Sequence, residues 1–224
     1  MPTSRQAVLF FDLDGALIDS KAGIRIALNA AMDEWGLVHI TDAELAHIVG
    51  PPFQTTVPVL LTARDVSTDR TMEFIETYRR IYGGGVIQQT PLMPGVKDAL
   101  DTLRASWPLA IVTSKPEPQA RIVLESTGVL GHFDVIVGSP PDESTKKAVL
   151  LAHACDLIRD MHNFHAKHQR SWMIGDRHHD IDAAVEEGVS SIGVLWGYGS
   201  RKEFETAGAT HIIVEPAELL ELLK

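Results

Sequence analysis

The 224 residues contain a single cysteine, Cys155, which excludes an internal disulfide and any multi-cysteine zinc site. No apolar run approaches the ~20 residues that a membrane helix needs. Residues Met1 to Gln6 are short and polar, so no signal peptide is expected and a cytoplasmic location is the default. Basic residues are also in short supply, 20 against 30 acidic, for a net charge of −10. That balance disfavours nucleic-acid binding, which depends on neutralising phosphates with Lys and Arg. An anionic ligand gains nothing from such a field, so it must be held locally by a metal or a few placed cations. Internal repeats and low-complexity tracts are absent as well. At 45% hydrophobic and 22% charged residues the composition is that of an ordinary globular protein of one domain or two small ones.

What is present begins with five apolar residues, Ala7 to Phe11, running into Asp12-Leu13-Asp14-Gly15. A short continuous apolar run predicts a strand buried on both faces. A carboxylate beside such a strand is costly unless it is paired or binds a metal. Two carboxylates at the strand's exit would lie at the carboxyl edge of a parallel sheet, where open α/β folds bind ligands. A solvated Asp/Gly turn is the simpler alternative. Three later segments favour the edge site. Leu109 to Val112 is a second buried run, ending in Thr113-Ser114-Lys115. Trp172 to Gly175 is a third, ending in Asp176, with Asp180 four residues on. Between them Lys146 and Lys147 head a helical segment.

The spacing of these runs predicts an insertion. In a plain βα alternation the second strand follows the first by some 30 residues, yet here it waits until Leu109. The intervening Lys21 to Tyr82 is helical in pattern, with Ile24, Leu28, Ala31 and Trp35 on one face, then Leu45, Ile48 and Val49, then Met72, Ile75, Tyr78 and Tyr82. Thr41 with Glu44 reads as a capping box, and Gly36 and Gly83-Gly84-Gly85 as helix stops or turns. We therefore expect a helical cap over residues 17–91, hinged near Gly15 to Ser20 and Gln88 to Gly95, on a core of residues 1–16 plus 92–224. After the cap, helices at Val96–Ala105, Gln119–Thr127, Lys146 to about Met161, Ile181–Glu187 and Ala217–Leu223 alternate with strands at Leu109–Val112, Phe133–Val137, Trp172–Ile174, Ser190–Leu195 and His211–Val214. This predicts an α/β fold, a Rossmann-like parallel sheet covered on both faces.

The order Asp-x-Asp, Thr, Lys, Gly-Asp-x-x-x-Asp resembles the haloacid dehalogenase superfamily, in its phosphoglycolate-phosphatase-like branch. The resemblance covers nearly the whole chain. FDLDGALIDS, Phe11 to Ser20, is similar to the first motif, FDLDGTLxDS. Thr113 to Glu117 resembles the second and its sequel, and Gly175 to Ile181 (GDRHHDI) the fourth. Gly193 to Ser200 (GVLWGYGS) and Gly50-Pro51-Pro52 also look like this branch.

The resemblance implies a Mg²⁺-dependent phosphatase acting on a small phosphorylated metabolite, as a monomer or weak dimer. Asp12 would be the nucleophile forming an acyl phosphate, and Asp14 the acid and base. Thr113 and Ser114 would bind phosphoryl oxygens, although a β-branched strand end explains Thr113 alone. Lys146 is the expected phosphate cation, because Val149-Leu150 match the apolar pair that follows this lysine in the branch; Lys147 is its rival. Mg²⁺ would be held by Asp12, Asp14 and Asp176, with Asp180 acting behind them or as a helix cap. Ala16 replaces the usual Thr and Ser114 a frequent Asn. Phe53 lies roughly where sugar-phosphate mutases of the superfamily carry a basic residue, which argues against a phosphomutase. A binding protein with a decayed site is the other alternative. His162, His165 and His168 read as a solvated loop rather than a metal site. Arg79 and Arg80 of the cap, and His178 and His179, either approach the site or face water.

Overall fold

The computed structural model describes residues 7–141, 145–162 and 170–224. Strand β1, Leu9–Phe11, is wholly buried and lies between β2, Leu109–Pro116, and β4, Trp172–Gly175. With β3 (Val135–Ser139), β5 (Ser190–Val194) and β6 (His211–Ile213) they form a parallel sheet of order β3-β2-β1-β4-β5-β6. The order reverses at β1, so the carboxyl ends of β1, β2 and β4 border the crevice where doubly wound sheets bind ligands. The apolar run forecast from Ala7 joins the ladder only from Leu9, but both backbone groups of Val8 are tied to the start of β4: its N–H donates to Ser171 Oγ at 3.2 Å and its carbonyl accepts Trp172 N–H at 3.0 Å.

Period-two alternation sends Leu9 and Phe11 to one face and Val8 and Phe10 to the other. The second face is covered by α7, Lys147–His162, and α8, His178–Glu187. The first packs on α5 (Val96–Arg104) and α6 (Glu117–Ser126), and its apolar cluster continues through Leu13, Leu17 and Ile18 into the inserted helices. Helix α8 starts three residues before the forecast, because Asp180 Oδ2 accepts the Arg177 N–H at 3.1 Å and closes the first turn. Helix α9, Arg201–Ala207, was not forecast; a single buried side chain, Phe204, gives it almost no apolar stripe. Helix α10, Glu218–Leu222, closes the chain.

The insertion is helical: α1 (Lys21–Trp35), α2 (Asp42–Ile48), α3 (Phe53–Thr62) and α4 (Thr71–Ile81), continuing through tight helical turns to Gln89. Thr41 and Glu44 form the expected reciprocal capping box, and Gly36 ends α1 in the left-handed region. On α4 the buried face carries Phe74, Ile75 and Tyr78, while Met72 is exposed. The two linkers run side by side. Ile18 pairs antiparallel with Leu92, Met93 N–H donates to Leu17 O at 2.8 Å, and Asp19 N–H to Pro91 O at 3.0 Å.

Candidate active site

Each strand end delivers one part of the site. Asp12 follows β1 directly and is 8% exposed, Asp176 follows β4 and is fully buried, and Asp180, on the first turn of α8, is 1% exposed. One carboxylate oxygen from each lies within 4.8 Å of the others. Three buried acids this close cannot all carry charge at ordinary cost. Burial, with Asp180 and Asp14 nearby, outweighs the opposing pull of Lys147 and pushes Asp12 up to about 7. Burial and the charges of Asp12 and Asp180 likewise drive Asp176 well above the usual carboxylate range.

The cation that answers this cluster is Lys147. Its Nζ donates to Asp12 Oδ1 at 2.5 Å and lies 2.9 Å from Asp180 Oδ1. Burial would lower its pKa, but Asp12 and Asp180 outweigh that and raise it. Lys146, the lysine expected here, is exposed one residue earlier, and its rival Lys147 is the one brought to the carboxylates. The reason is helical period: Val149 points outward, 56% exposed, whereas Leu150, Leu151, Ala154 and Ile158 are buried, and Lys147 shares their stripe.

Glycines make room for Asp176. Gly15 has φ +88°, and a Cβ there would fall 2.1 Å from Asp176 Oδ2; Asp-x-Asp-Gly thus ends in glycine for both backbone and steric reasons. Asp176 Oδ2 accepts the Tyr198 N–H at 2.8 Å. Its Oδ1 is buried and meets no hydrogen-bond donor among the described residues. The Tyr198 hydroxyl reaches back to Asp19 Oδ1 at 3.2 Å, so one residue secures both the acidic loop and the first linker. Ala16, where the family motif has Thr, is buried, and its carbonyl accepts the Trp196 indole N–H at 2.9 Å.

Thr113 is buried within β2, where the pairing with β3 becomes irregular, and its Oγ1 accepts the Lys115 N–H at 3.1 Å. Ser114 lines the cleft beside it. Lys115 was not singled out from the sequence, yet its Nζ donates to Asp14 Oδ1 at 3.1 Å and stands 5.0 Å from the Tyr82 ring of the insertion. Its burial lowers its pKa, but Asp14 and Tyr82 more than offset this and raise it. The cleft above Asp12 and Asp14, about 80 Å³, is walled on the far side by Ile24, Ile48, Phe53, Tyr78 and Arg79 of the inserted helices. Arg80 instead pairs with Glu34 on the surface. His179 lines the cleft, and His178 is bonded to Glu203. The segment expected to carry His162, His165 and His168 lies outside the residues whose side chains are described.

Comparison with known proteins agrees with this geometry. A family model described as haloacid dehalogenase-like hydrolase matches residues 9–194. The tyrosine-protein kinase PtkA of Mycobacterium tuberculosis is 35% identical over 99% of this chain and 72% of its own. The phosphoglycolate phosphatase of Chromobacterium violaceum is 31% identical over 96% and 95% of the two chains. A haloacid dehalogenase-like hydrolase from Streptococcus pneumoniae superposes with a TM-score of 0.86 at 28% identity, over 97% of this chain and 98% of that one. The acidic strand ends, the sheet order and these likenesses together place the chain in the haloacid dehalogenase-like hydrolase family, among its phosphoglycolate-phosphatase-like members.

Proposed function

We propose that the chain hydrolyses small phosphate monoesters through an aspartyl phosphate on Asp12, beneath a cap made by the inserted helices. The observation that carries this reading is the Asp12–Lys147 pair at the floor of a cleft between sheet edge and insertion. The Asp12 carboxylate attacks phosphorus while the ester P–O bond breaks, and Asp14 gives its proton to the departing oxygen. Water then attacks the acyl phosphate, Asp14 takes a proton from it, and phosphate leaves with Asp12 restored. Lys147 offsets charge on the phosphoryl group, and Thr113, Ser114 and neighbouring backbone N–H groups bind its oxygens. Lys115 orients Asp14 from the opposite side.

The residues fit a divalent cation. All the ligand atoms are oxygens, three of the carboxylates are buried, and Asp176 Oδ1 meets no hydrogen-bond donor among the described residues, which suits a hard ion such as Mg²⁺. Asp12, Asp14 and Asp176 would hold it, with Asp180 behind them fixing Lys147 and the Arg177 N–H. The ion would supply electrostatic stabilisation of the transferring phosphoryl group. The paired linkers at Ile18 and Leu92 support dividing the chain into a cap over 17–91 and a core of 1–16 plus 92–224.

The test is a screen of phosphorylated metabolites against the purified protein with Mg²⁺, reading free phosphate. Release of phosphate from some esters, lost in Asp12→Asn, is the expected result. Isomerised product would indicate a mutase, and transfer from ATP to a protein tyrosine without phosphate release would favour the chemistry named for the mycobacterial relative. Either result, or no reaction with any ester, overturns the proposal.

A further inference from the structure

Arg177 lies between Asp176 and Asp180, and its backbone N–H belongs to the acidic site through Asp180 Oδ2. Its side chain bonds to none of the site's carboxylates and reaches instead toward α9 and the cap. Nε donates to Glu203 Oε1 on α9 at 3.0 Å, and Nη1 donates to the carbonyl of Val49, at the end of cap helix α2, at 3.2 Å. Glu203 is itself fixed, since the same oxygen also accepts the His178 N–H at 2.8 Å and faces His178 Nδ1 at 2.8 Å. The guanidinium is thus rooted in the core and tipped into the cap. The cap side is shaped to receive it. Gly50 has φ +110°, and a Cβ there would fall 2.9 Å from Nη1, so a side chain would displace the guanidinium from the Val49 carbonyl. Arg177 also lines the cleft above Asp12.

We infer that Arg177 is a positioning residue that latches the cap shut through Val49, so that closure over substrate and the arrangement of the Asp176–Asp180 loop are coupled. The inference rests on the cap reading above. A C=O at a helix end needs a partner when water is excluded, and a charged donor supplies it only in the closed form. Opening must break this bond. At the usual strength of a hydrogen bond to a charged group, its loss shifts the closure equilibrium roughly ten- to a hundredfold toward open.

The experiment measures cap opening directly in the full chain, without reference to turnover. Spin labels placed at Val59→Cys on the cap and Val185→Cys on the core, both exposed positions, report the distance between the two units. Arg177→Ala should add a longer-distance population, and Gly50→Ala should do the same from the cap side. Arg177→Lys, which can reach one partner but not fork between two, should fall between Arg177→Ala and the parent. With an active ester, Arg177→Ala should raise KM several-fold more than it lowers kcat, a split that general destabilisation would not produce. An unchanged distance distribution in Arg177→Ala overturns the latch. Gly50→Ala keeps the question decidable if Arg177→Ala does not fold. A parent protein that hydrolyses no ester overturns the phosphatase reading but leaves the distance measurement to judge the latch.

Discussion

Lys146 and Lys147 have the same side chain, yet a rotation of about 100° per helical residue sends one to solvent and the other between two buried carboxylates. Removing Lys147 leaves Asp12 and Asp180 without their cation, so Lys147→Ala should cost about 2–4 kcal/mol of transition-state stabilisation, or a hundredfold or more in kcat. Lys146→Ala should change kcat less than twofold. Steady-state kinetics on the two variants check this, and equal effects would remove Lys147 from the site. Asp12→Asn should abolish turnover while the protein stays folded by circular dichroism, because the amide keeps the shape but neither attacks phosphorus nor repels Asp176. This pair of lysines was decidable from sequence: the buried stripe Leu150, Leu151, Ala154, Ile158 extends backward to Lys147. Lys115 was not decidable, because what it touches, Asp14 and the Tyr82 ring, comes from elements far apart in the chain.

Among the elements, α2 is held at its start more firmly than its seven residues would suggest. Glu44 closes the capping box and also pairs with Arg64, whose Nη1 lies 2.8 Å from Oε1, while Arg64 Nε donates to the Val38 carbonyl at 2.7 Å. The Arg64 hydrogen bonds, against the opposing effect of burial and with help from Thr41, hold the Glu44 carboxyl at about 2. A folded-state pKa below the unfolded one means that the folded protein binds fewer protons between the two. The stabilisation is therefore complete above the ordinary Glu value of 4.5 and is lost as pH falls toward 2. Glu44→Gln should lower stability by about 1–2 kcal/mol at neutral pH. The gap to the parent should close below pH 4 in denaturant titrations. A gap independent of pH would mean that packing, not charge, sets the contribution. The capping box itself was legible, since it needs only Thr and Glu three residues apart. The Arg64 partner was not, because it lies 20 residues on, in the turn after α3.

For the whole molecule, the concentration of buried acid at one sheet edge should make the fold sensitive to divalent cations. Anything that binds the native site but not the unfolded chain stabilises by mass action, about 2.7 kcal/mol at a hundred times the dissociation constant. In a chain of this size that corresponds to several degrees in Tm. Mg²⁺ should therefore raise Tm, EDTA should reverse the rise, and Asp176→Asn should blunt it. Calorimetric scans provide the check, and a Tm indifferent to Mg²⁺ in the parent would argue against the metal site.

Local chemistry alone determined a good deal about this protein. Buried strands announce themselves by continuous apolar runs, and Asp12, Asp14 and Asp176 by charge placed where such runs end. The insertion shows as a late second strand, and the turn after β1 as a glycine that its φ demands. These are properties of neighbouring residues and survive without knowledge of the rest. Tertiary structure decided what depends on distant segments meeting: Lys115 on Asp14, Tyr198 holding Asp176 and Asp19 together, and Arg177 spanning from Glu203 to the Val49 carbonyl. Long polar side chains such as these have no periodic signature, and their partners are chosen by which surfaces the sheet order and the inserted helices bring within about 3 Å.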